Sequence, residues 1–220
     1  MPRTKEQNEE LRSQRMETIL QSALKVYVEQ GFAAADIGDV AERAGVARGL
    51  IYYYFKDKRT LFRSLFAQML DRSNLHITNH FNQDVTFPIL FEQFITQMYN
   101  NMFEQSDYVL FFFRMRHDLH TLFTPEELKR QKWKSDNMSV FTEAIRKAIV
   151  RSEIRNIAPA LLAGQLWAAL MHGMIYLYQR TQELNQLGIS KREIKKRMEQ
   201  EKCDAIATCI AMLKIEVLHN

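Results

Sequence analysis

Between Ile37 and Lys58 the sequence reads IGDVAERAGVARGLIYYYFKDK, a set of side chains suited to holding a polyanion. Arg48 carries a planar fork of donors that fits guanine O6 and N7 or a phosphate. Gly49 has no side chain to keep a backbone or a thymine methyl away. Tyr52, Tyr53 and Tyr54 offer hydroxyls to phosphate oxygens and rings to sugars and methyl groups. Lys58 can neutralise a phosphate. Leu50 neither donates nor accepts, so any base contact it makes is to a thymine methyl.

A second chemistry competes. His76 and His80 are four apart and His117 and His120 three apart, so each pair can share a helix face and hold zinc. Neither pair has the glutamate of an H-E-x-x-H helix, and no cysteine cluster completes a site. No nucleophile elbow, phosphate loop or dinucleotide fingerprint is present. No catalytic residue, metal site or cofactor is therefore expected, and a metal enzyme built on the histidine pairs is the minor alternative.

The elements that must position the polyanion-binding set follow from apolar spacing. Ile37, Val40, Ala41 and Ala44 form the inner face of one short helix, with Asp36 placed to cap it. Gly45 fits the left-handed position that ends a helix. A second helix over 47–55 buries Ile51 and Phe55 and turns Arg48, Gly49, Leu50, Tyr52, Tyr53 and part of Tyr54 outward. Two helices joined this way are a helix-turn-helix, which places the second helix in the DNA major groove.

Residues 16–65 resemble the DNA-binding domain of the tetracycline-repressor (TetR) family. The resemblance rests on Ile19, Leu20 and Ala23, on Gly31-Phe32, on D-V-A-E-R-A-G-V (Asp39 to Val46), on G-x-I-Y-x-Y-F (Gly49 to Phe55) and on Lys58. It implies that Arg48, Gly49, Leu50 and Tyr52 read bases and that Tyr53, Tyr54 and Lys58 hold phosphates. Three departures bear on which sequence is read. Gly38 stands where the family often has a polar or basic residue, Ala47 where it often has Ser or Thr, and Leu50 where it often has Thr or Ser.

The rest of the chain reads as helix throughout. At 220 residues, with 46% hydrophobic residues, four prolines and seven glycines, the chain has ample material for an all-α core. The net charge of +4 is weak support for a nucleic-acid partner. Placement says more, since Arg43, Arg48, Lys56, Lys58 and Arg59 cluster around the motif. Arg3 and Lys5 read as a frayed terminus or as an arm along DNA. Helices are expected over 10–30, 59–81, 87–104, 107–119, 125–151, 158–184 and 190–217. Residues 10–58 then form a three-helix DNA-binding domain and 59–220 a helical effector-binding and dimerisation domain.

The span from Ile157 to Tyr178 lacks Asp, Glu, Lys and Arg and is long enough to cross a bilayer. Gln165 and His172 are costly in lipid, so a packed helix is expected and no membrane partner. Small residues on that helix, with an apolar stripe on the last one, suit a four-helix bundle made with a second copy or an ordinary monomeric core. That apolar stripe lies opposite Lys195, Lys202 and Lys214 in helical register. The resemblance implies two-fold dimers joined by the last two helices; Trp167, Met174, Ile206, Ile210 and Leu213 are the expected contacts. Two recognition helices one DNA turn apart require a near-palindromic operator.

The middle helices are rich in Phe, Tyr and Met, a composition of core or of an adaptable pocket. The resemblance favours a pocket for a small hydrophobic or amphipathic effector, with Tyr99, Phe103, Phe112, Phe141, Trp167, Met171 and His172 as its lining. Cys203 and Cys209 point to different sides of one helix and are expected reduced and buried in a cytoplasmic protein. The expected whole is a dimeric transcription regulator, a repressor released by its effector; the alternative is a DNA-binding dimer without one.

Overall fold

A computed structural model describes residues 4–104, 106–130 and 133–213. Within them the chain is helical, running α1 Lys5–Ala34, α2 Ile37–Ala44, α3 Arg48–Phe55, α4 Lys58–Phe81, α5 Phe87–Glu104, α6 Ser106–Leu122, α7 Pro125–Arg130, α8 Trp133–Val150, α9 Pro159–Gln186 and α10 Lys191–Ala211. No strand occurs among the described residues. The fold class is the all-α one expected.

Helix ends differ from the sequence reading where caps decide them. α1 starts earlier because Thr4 Oγ1 accepts the Gln7 N–H at 3.2 Å while Gln7 Oε1 accepts the Thr4 N–H at 3.1 Å. Lys5 is thus helical, and Arg3 lies outside the described residues. Gly31, with φ 76° and ψ 171°, breaks the helical backbone near the end of α1. Of the helix expected over 125–151, α7 and α8 are the described parts, and residues 131–132 lie outside the described residues. Lys214 and Val217 lie outside the described residues.

Packing draws two compact units. Residues 4–72 pack with 106–130, and residues 73–104 pack with 133–213. In the first unit α6 lies on α1, with Tyr27 fully buried among Phe62, Phe66 and Phe111 at ring separations of 5.2–5.9 Å. Asp118 of α6 accepts the Tyr27 hydroxyl at 2.8 Å and the Phe32 N–H at 3.4 Å. Arg59 donates to the Leu122 carbonyl at 3.0 Å, and Arg63 pairs with Glu127. These long-range bonds tie α6 and α7 to the N-terminal helices.

The second unit is built on α9. Leu162, Leu166, Leu170, Met174 and Leu177 are buried along one face of it, and α8, α10 and α5 pack around it. By length and composition alone α9 could cross a membrane. Phe91, Phe94, Tyr99 and Phe141 fill the core. Lys202, read from sequence as solvent-facing, is buried, because its ammonium donates to Asn100 Oδ1 at 2.9 Å and pairs with Glu199 at 2.7 Å.

Candidate nucleic-acid interface

The helix-turn-helix forms for the reasons its residues suggest. Asp36 caps α2 by accepting the Gly38 N–H at 2.6 Å. Gly45 ends α2 in the left-handed conformation, φ 64° and ψ 33°, where a Cβ would be strained. Ala47 starts α3 without any side-chain hydrogen bond. Ile51 and Phe55 are buried beneath α3. Asp57 caps the start of α4 by accepting the Thr60 N–H at 2.7 Å, which also holds its carboxyl below the usual range.

The outer face of α3 is open. Arg48 and Gly49 are exposed and Leu50 is half-buried. Tyr52 is 42% and Tyr53 74% exposed, an unusual concentration of free aromatic surface on one short helix. Tyr54 is half-buried, with the Arg12 guanidinium 5.9 Å from its ring centre. Lys58 is engaged: it donates to the Ala33 carbonyl at 3.0 Å and sits 4.9 Å over the Phe32 ring. DNA would have to exchange the first of these bonds.

Besides Lys58, two members of the basic cluster are committed elsewhere. Arg43 makes a two-pronged pair with Glu29 at 2.7 and 2.9 Å, and Arg59 is held by Leu122. Arg48 lies 3.6 Å from the Asp36 carboxylate and 5.9 Å over the Tyr52 ring. The Tyr52 oxygen, then Asp36, raise the pKa of its guanidinium. Sequence reasoning missed Arg12, which α1 carries to Tyr54, and the second role of Asp36. No spacing rule signals either.

The expected effector residues lie in different settings. Tyr99 and Phe141 are fully packed core, and Trp167 is half-buried between Phe94 and Phe141 at 6.4 and 6.3 Å. Met171 is half-buried, Phe103 is 40% exposed and Phe112 belongs to the first unit. His172 is exposed, because α9 buries Leu170 and Met174 and so turns position 172 away. Two open grooves do exist in the second unit. One of about 640 Å³ is lined by Phe81, Met138, Val140, Glu143 and Arg146. Another of about 630 Å³ is lined by Ile89, Gln93, Gln97 and Asn100. Neither contains an expected lining residue.

The expected dimer contacts differ in exposure. Met174 and Leu213 are spent on the core of the chain itself, and Ile206 and Ile210 are half-buried. Cys203 is exposed and Cys209 buried, where both were expected inside. His80 is buried with Nε2 2.7 Å from the Leu90 carbonyl oxygen, while His117 and His120 are exposed. Among the described residues no group of three His, Cys, Asp or Glu stands together as metal ligands would.

Comparison with known proteins bears on the first of these sites. The model for bacterial regulatory proteins of the tetR family matches residues 19–65, the stretch that holds α2 and α3. The regulator AcrR of Shigella flexneri is 38% identical over 73 residues, 33% of this chain and 31% of that protein. The match thus spans under a third of that relative's length. The repressor BepR of Brucella suis is 25% identical over 178 residues, 80% of this chain and 83% of that protein. FadR of Bacillus subtilis, solved in complex with stearoyl-CoA, has the same fold at TM-score 0.61 and 17% identity, covering 90% of this chain and 95% of that one. An open α3 over a buried Ile51 and Phe55, inside the stretch that the model matches, leads to a single assignment: residues 19–65 form a domain of the tetR family of bacterial regulatory proteins.

Proposed function

We propose that the chain is a sequence-specific DNA-binding transcription regulator, a cytoplasmic dimeric repressor released from a near-palindromic operator by a small hydrophobic or amphipathic effector. The observation that carries the DNA role is the exposed face of α3, where Arg48, Gly49, Tyr52 and Tyr53 face outward over a buried base. In this reading 10–58 bind DNA, 59–220 bind the effector and the second copy, and Arg48, Gly49, Leu50 and Tyr52 read bases. Tyr53, Tyr54 and Lys58 hold phosphates. The likeness to the repressor BepR supports repression, and the ligand of FadR supports an amphipathic effector. Effector binding would act through α4, whose residues are divided between the two packing units, by changing the separation of the two recognition helices.

The test is selection of genomic DNA fragments by the purified protein. Enrichment of one near-palindrome supports the reading; binding without any sequence preference at low salt sinks it. With that site in hand, Arg48→Ala is expected to relax sequence preference. Lys58→Ala should weaken all sequences alike and lower the salt slope by about one. A dimer with no effector is favoured by one observation, the complete packing of Tyr99 and Phe141. That alternative fails if a small molecule releases the site at saturable, stoichiometric concentration.

A further inference from the structure

The two carboxylate oxygens of Asp36 serve different neighbours. Oδ1 accepts the Gly38 N–H at 2.6 Å and closes the first turn of α2. Oδ2 lies 3.6 Å from Nη2 of Arg48, the first residue of α3. The same guanidinium lies 5.9 Å from the centre of the Tyr52 ring. An arginine at an exposed helix start otherwise samples many rotamers, and fixing it before DNA arrives removes part of the entropy cost of binding.

Gly38 supplies the room for this arrangement. A Cβ at that position would stand 2.8 Å from Asp36 Oδ1 and 3.9 Å from Arg48 Nη1. Any side chain there displaces the carboxylate. Asp36 is also an acid, 57% exposed, beside a face otherwise suited to phosphates. Its charge opposes every duplex equally, whatever the sequence.

We propose that Asp36 is a positioning residue for sequence choice: it holds Arg48 in the pose that reads bases and opposes unspecific phosphate binding, and Gly38 is the space that permits it. The proposal rests on the DNA-reading role of α3 argued above. Asp36 thereby raises discrimination while lowering raw affinity.

Two variants separate pose from charge. Asp36→Asn keeps the cap, since asparagine caps as well as aspartate, but removes the charge. It is expected to bind mixed-sequence DNA more tightly, by roughly 2- to 5-fold, and to lose roughly 2- to 5-fold in preference for the selected site, the scale of an exposed ion pair. Gly38→Ala displaces the carboxylate and keeps its charge, so preference falls similarly while mixed-sequence affinity stays. Neither change should alter preference in an Arg48→Ala background. Affinities for the selected site and for mixed-sequence DNA, at one salt concentration, read all of this, with thermal melting as the check on folding. Unchanged preference in Asp36→Asn overturns the proposal, and so does an equal loss without Arg48. A wild-type chain that prefers no sequence fails earlier, at the DNA-reading role itself.

Discussion

Gly173 and Gly164 look alike in the sequence, two small residues on α9, yet their surroundings are opposite. A Cβ at 164 would meet nothing within 4 Å, whereas one at 173 would stand 2.1 Å from Tyr99 Oη and 3.0 Å from its Cζ. The Tyr99 hydroxyl donates to the Leu170 carbonyl at 3.5 Å and lies 4.0 Å from Cys209 Sγ. Gly173→Ala is expected to cost about 1–3 kcal/mol, read as a fall in Tm. Tyr99→Phe added to it should recover part of the loss, because the clashing oxygen is gone. An unchanged Tm in Gly173→Ala would mean that Tyr99 does not approach α9 there. His76 poses a different problem at the same scale. Its Nε2 is buried with no partner, and its ring lies 6.1 Å from Phe94 and 6.3 Å from His80. Burial, then His80, push its pKa below the ordinary 6.5. The unfolded chain therefore takes up its proton first as pH falls. Stability present above about pH 6.5 is lost on going down toward the folded pKa. His76→Phe should flatten that part of the pH dependence in urea unfolding between about pH 7.5 and 5.5; an unaltered slope would exclude His76 as its source.

At the scale of elements, α6 matters more than its sequence suggested. Asp118 accepts from both Tyr27 and the Phe32 N–H, on either side of the break at Gly31. Gly31 needs its φ of 76°, and a Cβ there would also stand 3.2 Å from Arg114 Nη1. The Tyr27 hydroxyl has its pKa driven up, first by burial and then by Asp118. Asp118→Ala leaves a buried hydroxyl without its acceptor and is expected to cost about 1.5–3 kcal/mol. Tyr27→Phe removes the hydroxyl too and should cost less. Hydrogen exchange at the Phe32 amide is the local readout: it should accelerate in Asp118→Ala, and unchanged protection would place the tie between α1 and α6 elsewhere. Tyr27 and Asp118 are 91 residues apart, so no periodicity could pair them.

For the whole molecule, the dimer proposed above needs an exposed apolar face to pair. α9 buries Met174 and leaves Leu161, Ile175 and Tyr176 exposed at 54%, 38% and 46%. With Gly164 and Ala168 also exposed, that side offers an apolar stripe with small residues for close helix approach. In the dimer proposed above, Ile175→Glu should give a folded monomer and Met174→Glu an unfolded chain. Sedimentation separates oligomers and circular dichroism reports folding. A dimer that survives Ile175→Glu would put the pairing face elsewhere.

The sequence by itself determined the helix-turn-helix, because its causes are local. Asp36 and Gly45 set the ends of α2 through their own backbones, and a spacing of four puts Ile51 and Phe55 under α3. It determined the all-helical character for the same reason. In the second half it is less informative. Periodicity marks Tyr99, Phe141 and Met174 as apolar-facing but cannot distinguish a core from a pocket or a partner. That distinction depends on what each helix meets, and only the tertiary structure decides it. Tertiary packing buries Lys202 beside Asn100, turns His172 outward, brings Arg12 over Tyr54, and sets Asp36 against Arg48.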